Sequence, residues 1–405
     1  LGIESKGFQT MPELKDNREA PGMLWALRET ARKYGFTNFT MNACNEYVFR
    51  PERQESMRPD DPRAKRMMVT DYTLRDYLLS LAWGCRTIST GHLEDCNTAY
   101  YGSNWGAGGQ CTTYPYSYPK RMFTALATFT KVFDRCGACR RIPTGEVSTY
   151  ALEFPRNRAV KDFASAYWTP VFDAQLAVQF PSGTTVEKID WQGRAEKLTP
   201  NGKGVVTLDI GSTPVYLVTS KPAIRGQARH APAAAPGDFR PLASFAKVSL
   251  TPTDLPDYGG NLGTFETSVV RDAELGRDVL ETRLVRTPTP IADIAGEHRL
   301  LLLDKPIAFD PSAVERLGLW IRGNGGFGSV SLVLADDNAV TAVKTGRIKS
   351  YERQAPQVRF GVNGVISYHG WQFVESGDLA RTFSSFRAKD GTFRRVQVVG
   401  VLVND

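Results

Sequence analysis

The sequence predicts an α/β region followed by all-β regions, and two observations carry this prediction. Up to about residue 145, short apolar runs typical of strands alternate with longer stretches in which apolar residues have helical spacing. Beyond that point the period of the apolar pattern falls to two, which is typical of antiparallel strands between turns. The chain has 405 residues, a length that suits two to three domains of about 150 residues each.

Three strand–helix repeats are predicted in the α/β region. The predicted strands lie at residues 2–8, 39–45 and 86–91, and predicted helices follow them at residues 24–34, 62–84 and 119–133. Pro62 and Pro119 stand at first helical positions, where proline is favoured. Gly35 and Gly84 stand where C-terminal caps belong. Repeated alternation of strand and helix predicts a parallel sheet.

The second half is predicted to contain two β-domains. Short strands are expected at residues 150–154, 165–168, 176–180, 186–191, 205–210 and 215–218. They predict a small antiparallel sandwich over residues 146–220, after the α/β region of residues 1–145. Residues 221–240, which contain Ala231-Pro-Ala-Ala-Ala-Pro-Gly237, are predicted as a Pro/Ala linker. The last domain, residues 241–405, has its clearest strands at residues 300–303, 317–322, 329–334 and 396–403.

Composition narrows the classes of function. The formal net charge is +7, but lysines and arginines are interleaved with acidic residues, which favours a solvated basic surface over a nucleic-acid site. Charges interrupt every apolar run well before the length of a membrane span, so no transmembrane segment is expected. The first residue is Leu1 and no signal-peptide pattern follows, so the chain is expected to be processed, cut or partly represented.

All six cysteines lie in the first 139 residues. Cys96 and Cys111 flank a loop rich in Gly, Tyr and Asn, where a disulfide would restrain a long excursion. This favours an oxidising location, that is, secreted, periplasmic or at the cell surface. The pair Cys136-Gly-Ala-Cys139 lacks a second pair at zinc-ribbon spacing, and a redox role for it is an open alternative.

A carboxylate at the end of a buried strand is the main candidate for chemistry. Glu46 ends the second predicted strand, and Asn42 and Asn45 precede it as possible hydrogen-bond donors. Arg50 or Arg53 would keep the carboxylate ionised. The alternative is a surface glutamate at a strand end, paired with an arginine.

Residues 1–220 resemble clan A glycoside hydrolases, and in particular the β-xylosidase and α-L-iduronidase group. The motifs that carry this resemblance are Glu46 at a strand end, Tyr77-Leu-Leu-Ser-Leu-Ala-Trp-Gly84, Trp168-Thr169, Asp190-Trp-Gln-Gly193 and Pro214-Val-Tyr216. The resemblance implies the C-terminal part of a (β/α)8 TIM barrel, with strands six to eight in this chain, followed by two β-sandwich domains. It implies that an N-terminal half, on a complementary chain or in residues not represented here, supplies strands one to five.

The resemblance also implies roles for individual residues. Glu46 would be the catalytic nucleophile of a retaining glycosidase, and the acid/base carboxylate would come from the absent N-terminal half. Were the chain complete by itself, Glu94 or Asp95 would have to be the acid. Candidate contacts to a carbohydrate substrate are Asn45, Glu4, Lys6, His92, Glu94, Asp95, Tyr101 and Trp105. Tyr114, Tyr116 and Tyr118 lie in the same loop as Tyr101 and Trp105, and their rings suit stacking on sugars. No metal or organic cofactor is implied.

The last domain resembles jelly-roll modules of enzymes that act on polysaccharides. The resemblance rests on Leu317-Gly-Leu-Trp320-Ile-Arg-Gly-Asn324-Gly-Gly and Tyr368-His-Gly-Trp371-Gln-Phe373. Trp320 lies in an apolar run and is expected in the core, whereas Trp371, beside His369, is a candidate for sugar binding. The main alternative to an enzyme is therefore a non-catalytic carbohydrate-binding or cell-envelope structural protein on a barrel scaffold.

Overall fold

The chain divides into two compact units, Leu1–Ala231 and Pro232–Asp405, in the computed structural model. The structure describes residues 2–6, 30–36, 41–46, 69–90, 93–94, 110–111, 117–146, 148–157, 159, 161–170, 173–230, 239–253, 264–286, 298–324, 328–336, 357–360, 366, 369–376, 379, 383, 386, 390 and 395–404. No described helix has both the length and the apolar character that crossing a membrane requires.

The first unit begins with a parallel sheet. Its strands are β1 (Gly2–Lys6), β2 (Met41–Glu46) and β3 (Cys85–Thr90), and β2 lies between the other two. Both pairings are parallel, which confirms the prediction from strand–helix alternation. Residues 30–33 are helical, and two longer helices follow, α1 (Val69–Ala82) and α2 (Arg121–Phe133).

The C-terminal ends of the helices lie where spacing and capping predict them, whereas α2 begins at Arg121, two residues after Pro119. The predicted start of α1 at Pro62 lies outside the described residues. In α2 the buried positions Ala125, Phe129, Val132 and Phe133 recur at helical intervals and make one apolar face. After α1 the chain turns at Gly84, whose φ of 85° lies in the left-handed region that glycine adopts without a steric penalty. The Gly84 N–H donates to the Leu81 carbonyl at 2.9 Å, which closes the last turn.

Two antiparallel sheets complete the first unit. Their strands are β4 (Arg140–Arg141), β5 (Tyr150–Arg156), β6 (Asp162–Trp168), β7 (Ala174–Gln179), β8 (Val186–Ile189), β9 (Ala195–Leu198), β10 (Val205–Ile210), β11 (Val215–Thr219) and β12 (Arg225–His230). A six-stranded sheet has the order β4-β5-β6-β11-β8-β9, and a three-stranded sheet has the order β10-β7-β12.

The six-stranded sheet is buried on both faces along β5 and β6. Tyr150, Leu152 and Trp168 pack with the apolar sides of α1 and α2. Ala151 and Tyr167, which alternate with them, pack with residues of the three-stranded sheet. The first unit is therefore layered, with the helices on one face of the six-stranded sheet and a smaller sheet on the other.

Strand β12 lies in a range for which no strand was predicted. The range predicted as a linker, residues 221–240, contains β12, which pairs antiparallel with β7 at the edge of the three-stranded sheet. Exposed residues at Arg225 and Gln227 suit a solvated edge strand and hid the period-two signal. Its backbone is fixed further by the Gly226 N–H, which donates to the Pro143 carbonyl at 2.7 Å.

The second unit is rich in strands. They are β13 (Leu250–Thr253), β14 (Thr264–Asp272), β15 (Arg277–Arg286), β16 (His298–Phe309), β17 (Gly318–Asn324), β18 (Ser329–Asp336), β19 (Gln357–Phe360), β20 (His369–Glu375) and β21 (Val396–Asn404), with a short 3-10 helix at Phe245–Lys247. A five-stranded antiparallel sheet has the order β13-β16-β21-β18-β19, and the pairs β14-β15 and β17-β20 form two further sheets.

Candidate functional site

The carboxyl edge of the parallel sheet brings three of the predicted site positions together. Lys6 and Glu46 are register partners at the last residues of β1 and β2. Glu4 lies two residues before Lys6 and so belongs to the same face of the sheet. The carboxyl edge of parallel strands is where enzymes of α/β architecture place their reactive groups.

Asn45 occupies the opposite face of the same sheet. Its register partner is Thr90, at the end of β3. Ile88, two residues earlier, belongs to the same face as Thr90, and its side chain packs against the core formed with the helices. Glu46 follows Asn45 and is the last residue of β2. The predicted site residues His92, Asp95, Tyr101 and Trp105 lie outside the described residues.

Glu94, the remaining predicted site residue, lies in a cluster of three short segments after β3. Glu94 and Cys111 form a parallel β-bridge, and Cys111 bridges Pro119 in the antiparallel sense. The Cys111 N–H donates to the Leu93 carbonyl at 2.8 Å. The Ser117 hydroxyl donates to the Glu94 carboxylate at 2.7 Å. These bonds bring residues far apart in sequence to one place beside the sheet.

Ser117 has an unusual backbone conformation. Its φ is 40°, in the left-handed region that costs a residue other than glycine about 1–3 kcal/mol. The neighbouring side chains are turned outward: Tyr118 is 64% exposed and Leu93 is 62% exposed. Sequence reasoning missed Ser117, because neither a glycine nor an asparagine marks the left-handed position.

A buried carboxylate joins α1, α2 and the β10–β11 turn. Asp71 is fully buried and lies 2.9 Å from the Arg121 guanidinium. The hydroxyls of Thr213 and Ser212 donate to its oxygens at 3.0 and 3.2 Å. Burial raises the pKa of Asp71, although the positive charge of Arg121 opposes the rise. Arg121 lies in α2, and Ser212 and Thr213 lie in the β10–β11 turn, so this network holds these elements to α1.

The predicted disulfide between Cys96 and Cys111 is not formed. Cys111 is a buried free thiol, and Cys96 lies outside the described residues. The Cys111 backbone is instead held by the bridges to Glu94 and Pro119. Cys136 and Cys139 are half-buried and lie directly after α2. Among the described residues, no three His, Cys, Asp or Glu side chains converge as a metal site.

In the second unit, one face of the β17–β20 pair carries both tryptophans of interest. Trp320 is the register partner of Phe373, and their rings meet edge to face at 5.5 Å. Trp371 is the partner of Arg322, whose guanidinium lies 3.2 Å from the Asp272 carboxylate. Trp320 was expected in the core, but it is half-buried, as Trp371 is.

No protein-family model matches the chain. No curated protein matches it either. Among solved structures, a family 39 glycoside hydrolase from the gut symbiont Bacteroides cellulosilyticus WH2 is similar, with 15% identity, a TM-score of 0.40 and coverage of 54% of this chain and 44% of that chain. A Paenibacillus polymyxa xyloglucanase of family 44 is similar at 10% identity and a TM-score of 0.25, with coverage of 49% and 36%.

The chain thus spans less than half the length of each of these structures. At such TM-scores neither similarity carries an argument.

Proposed function

We propose that the chain carries part of the active site of a retaining glycoside hydrolase that acts on a polysaccharide or oligosaccharide. The observation that carries the proposal is the register of β1 and β2, which assigns Glu46 and Lys6 to paired positions at the carboxyl edge of a parallel sheet. This edge is where parallel strands present catalytic carboxylates, and a carboxylate is one of the groups that form covalent intermediates with glycosides.

The chemistry requires two carboxyl groups about 5 Å apart. A Glu46 oxygen would form a bond to the anomeric carbon while the glycosidic C–O bond breaks, and a general acid would protonate the departing oxygen. Water would then attack the glycosyl–enzyme ester, giving its proton to the same residue, now a base. That acid/base residue would be supplied by a complementary N-terminal half, which is also what would close the sheet into a barrel.

The test is the hydrolysis rate of Glu46 variants of the protein as isolated, measured on a panel of aryl glycosides. Glu46→Ala is expected to reduce the rate by about 10⁴-fold or more, because no covalent intermediate forms. Added azide should restore turnover by attacking the emptied face of the sugar and giving a glycosyl azide of inverted configuration. Glu266→Ala, in the second unit, is the matched control. Unchanged hydrolysis by Glu46→Ala would contradict the proposal.

A second function, non-catalytic carbohydrate binding, is favoured by one observation. Trp320 and Trp371 are half-buried on one face of the β17–β20 pair, next to the Arg322–Asp272 ion pair. Aromatic rings beside charged groups suit a sugar, whose ring has an apolar face and polar hydroxyls. Saccharide binding that is lost in Trp371→Ala, without hydrolysis of any glycoside by the intact protein, would favour this alternative.

A further inference from the structure

The short segments that follow β3 carry three side chains, Glu94, Ser117 and Tyr118, whose chemistry suits binding to a sugar ring. Glu94 offers a carboxylate, Tyr118 offers an aromatic ring, and Ser117 holds the carboxylate by a 2.7 Å hydrogen bond. Tyr118 is 64% exposed and follows Ser117 directly in the chain, so an exposed ring is one residue away from the serine that holds the carboxylate. This combination is amphipathic, as a saccharide is.

The position of Glu94 limits how far this cluster can lie from Glu46. Glu94 is four residues after Thr90, the last residue of β3, and four residues span at most about 14 Å. Thr90 is the register partner of Asn45, which precedes Glu46 in the neighbouring strand. Glu94 is therefore close enough to the carboxyl edge of the sheet, where β2 ends at Glu46, for one short oligosaccharide to reach both.

The Glu94 carboxylate keeps capacity to accept further hydrogen bonds. A carboxylate has about four acceptor positions. Among the described residues, the Ser117 hydroxyl alone donates a hydrogen bond to it. Glu94 is half-buried, so part of its side chain is open to hydroxyl groups of a ligand.

We propose that Glu94, Ser117 and Tyr118 form a saccharide subsite beside the Glu46 edge. Tyr118 stacks on the apolar face of one sugar ring, and Glu94 accepts hydrogen bonds from its hydroxyls. Ser117 is a positioning residue, which fixes the Glu94 carboxylate at the cost of a left-handed backbone conformation. The inference rests on the proposed function, because that function places a saccharide at this edge of the sheet.

The conformation of Ser117 allows its hydroxyl and its backbone to be tested separately. Ser117→Gly removes the hydroxyl and relieves the backbone, so we expect an unchanged or higher Tm and about ten-fold weaker saccharide binding. Ser117→Thr keeps the hydroxyl but sets a β-branched residue at positive φ, so we expect a lower Tm and nearly unchanged binding. A purely structural role for Ser117 would instead make binding follow Tm in both variants.

The stacking role of Tyr118 has a matched control at the other edge of the sheet. Tyr34 is 71% exposed and lies in the turn before β2, where the amino ends of the strands lie. Tyr118→Ala is expected to weaken binding about five- to ten-fold, and Tyr34→Ala to leave it unchanged. Glu94→Gln should weaken binding about ten-fold, and Glu196→Gln, an exposed glutamate of β9, should have no effect.

The experiment is isothermal titration calorimetry of these variants with β-1,4-linked tetrasaccharides of xylose, glucose, mannose or galactose. The expected pattern is weakened binding in Ser117→Gly, Tyr118→Ala and Glu94→Gln alone. Binding by the wild type that all three variants retain would overturn the subsite while leaving the proposed function intact. The expected binding pattern without hydrolysis of any aryl glycoside, by the chain alone or together with its complementary half, would sustain the subsite and contradict the hydrolase. If no tetrasaccharide bound to the wild type, the subsite would be overturned, and the aryl glycoside assay would decide the hydrolase separately.

Discussion

In the first unit, a carboxylate beside the parallel sheet and one within an antiparallel sheet differ in how many of their oxygens accept hydrogen bonds. Glu153, in β5, is 1% exposed, and both of its oxygens are occupied, one by Arg140 and the other by the Ala223 N–H at 2.7 Å. Glu94, beside the parallel sheet, is half-buried and accepts from Ser117. A carboxylate whose acceptors are filled holds strands together, whereas one with open acceptors can bind a ligand.

The largest loss of stability is expected on removal of the Glu153 carboxylate, because both of its oxygens accept hydrogen bonds. Glu153→Ala would leave the Ala223 N–H buried without its partner and would release Arg140, so we expect the free energy of unfolding to fall by about 2–3 kcal/mol. The loss of free energy is limited because the Arg140 side chain is 44% exposed and water screens part of its ion pair with Glu153. Urea denaturation measures the change.

Glu196→Ala is the control for this prediction. Its side chain is 65% exposed and pairs with Lys188 at 3.7 Å, so a loss below about 0.5 kcal/mol is expected. Equal effects for the two glutamates would show that the buried hydrogen bonds of Glu153 add nothing to the stability of the fold. Neither substitution should change saccharide affinity.

A turn in the antiparallel region offers a second contrast. Gly204 has φ of 73°, and a Cβ there would stand 2.4 Å from the Phe180 carbonyl oxygen, whereas a Cβ at Gly202 would meet nothing within 4 Å. Gly204→Ala is expected to lower the free energy of unfolding by about 1–2 kcal/mol, and Gly202→Ala to change it by less than about 0.5 kcal/mol. Thermal unfolding of both variants measures the contrast. A neutral Gly204→Ala would show that the Phe180 carbonyl does not approach Gly204 so closely.

The smallest expected effect is a dependence on pH from Asp71. Burial raises the pKa of Asp71 in the folded chain above the ordinary 3.8. At a pH between 3.8 and the folded pKa, the unfolded chain has therefore lost the proton that the folded chain keeps. The contribution of Asp71 to stability is therefore full below pH about 4 and falls as the pH rises through the folded pKa. Unfolding free energies measured from pH 4 upward should fall for the wild type relative to Asp71→Asn. A wild-type free energy of unfolding that rose with pH relative to Asp71→Asn would contradict the assignment.

The elements with strong local signals could be predicted from the sequence. Helix α2 has one apolar face, so its position followed from periodicity. Strands β2 and β3 carry several polar residues, and their positions followed from their alternation with the helices. Strand β12 could not be found in this way, because its Gly226, Gln227 and Arg229 carry no apolar alternation. Only its pairing with β7 makes it a strand.

The polar contacts that matter most were beyond the reach of local patterns. Asp71 bonds to Ser212 and Thr213, about 140 residues away in sequence, and nothing near Asp71 indicates that it is buried. Ser117 meets Glu94 across 23 residues. Such contacts depend on how the segments pack, so the sequence could nominate Glu94 as a site residue but not the serine that positions it.

The most direct test of the central claim is to trap the covalent intermediate. An aryl glycoside that carries fluorine in place of the 2-hydroxyl forms the glycosyl–enzyme ester but hydrolyses slowly, because fluorine destabilises the oxocarbenium-like transition state. Digestion and mass spectrometry of the labelled protein should then show the added sugar on the peptide that contains Glu46, and Glu46→Gln should take up no label. A label on any other carboxylate, or turnover with inversion at the anomeric carbon and no label at all, would contradict the assignment of Glu46 as the nucleophile.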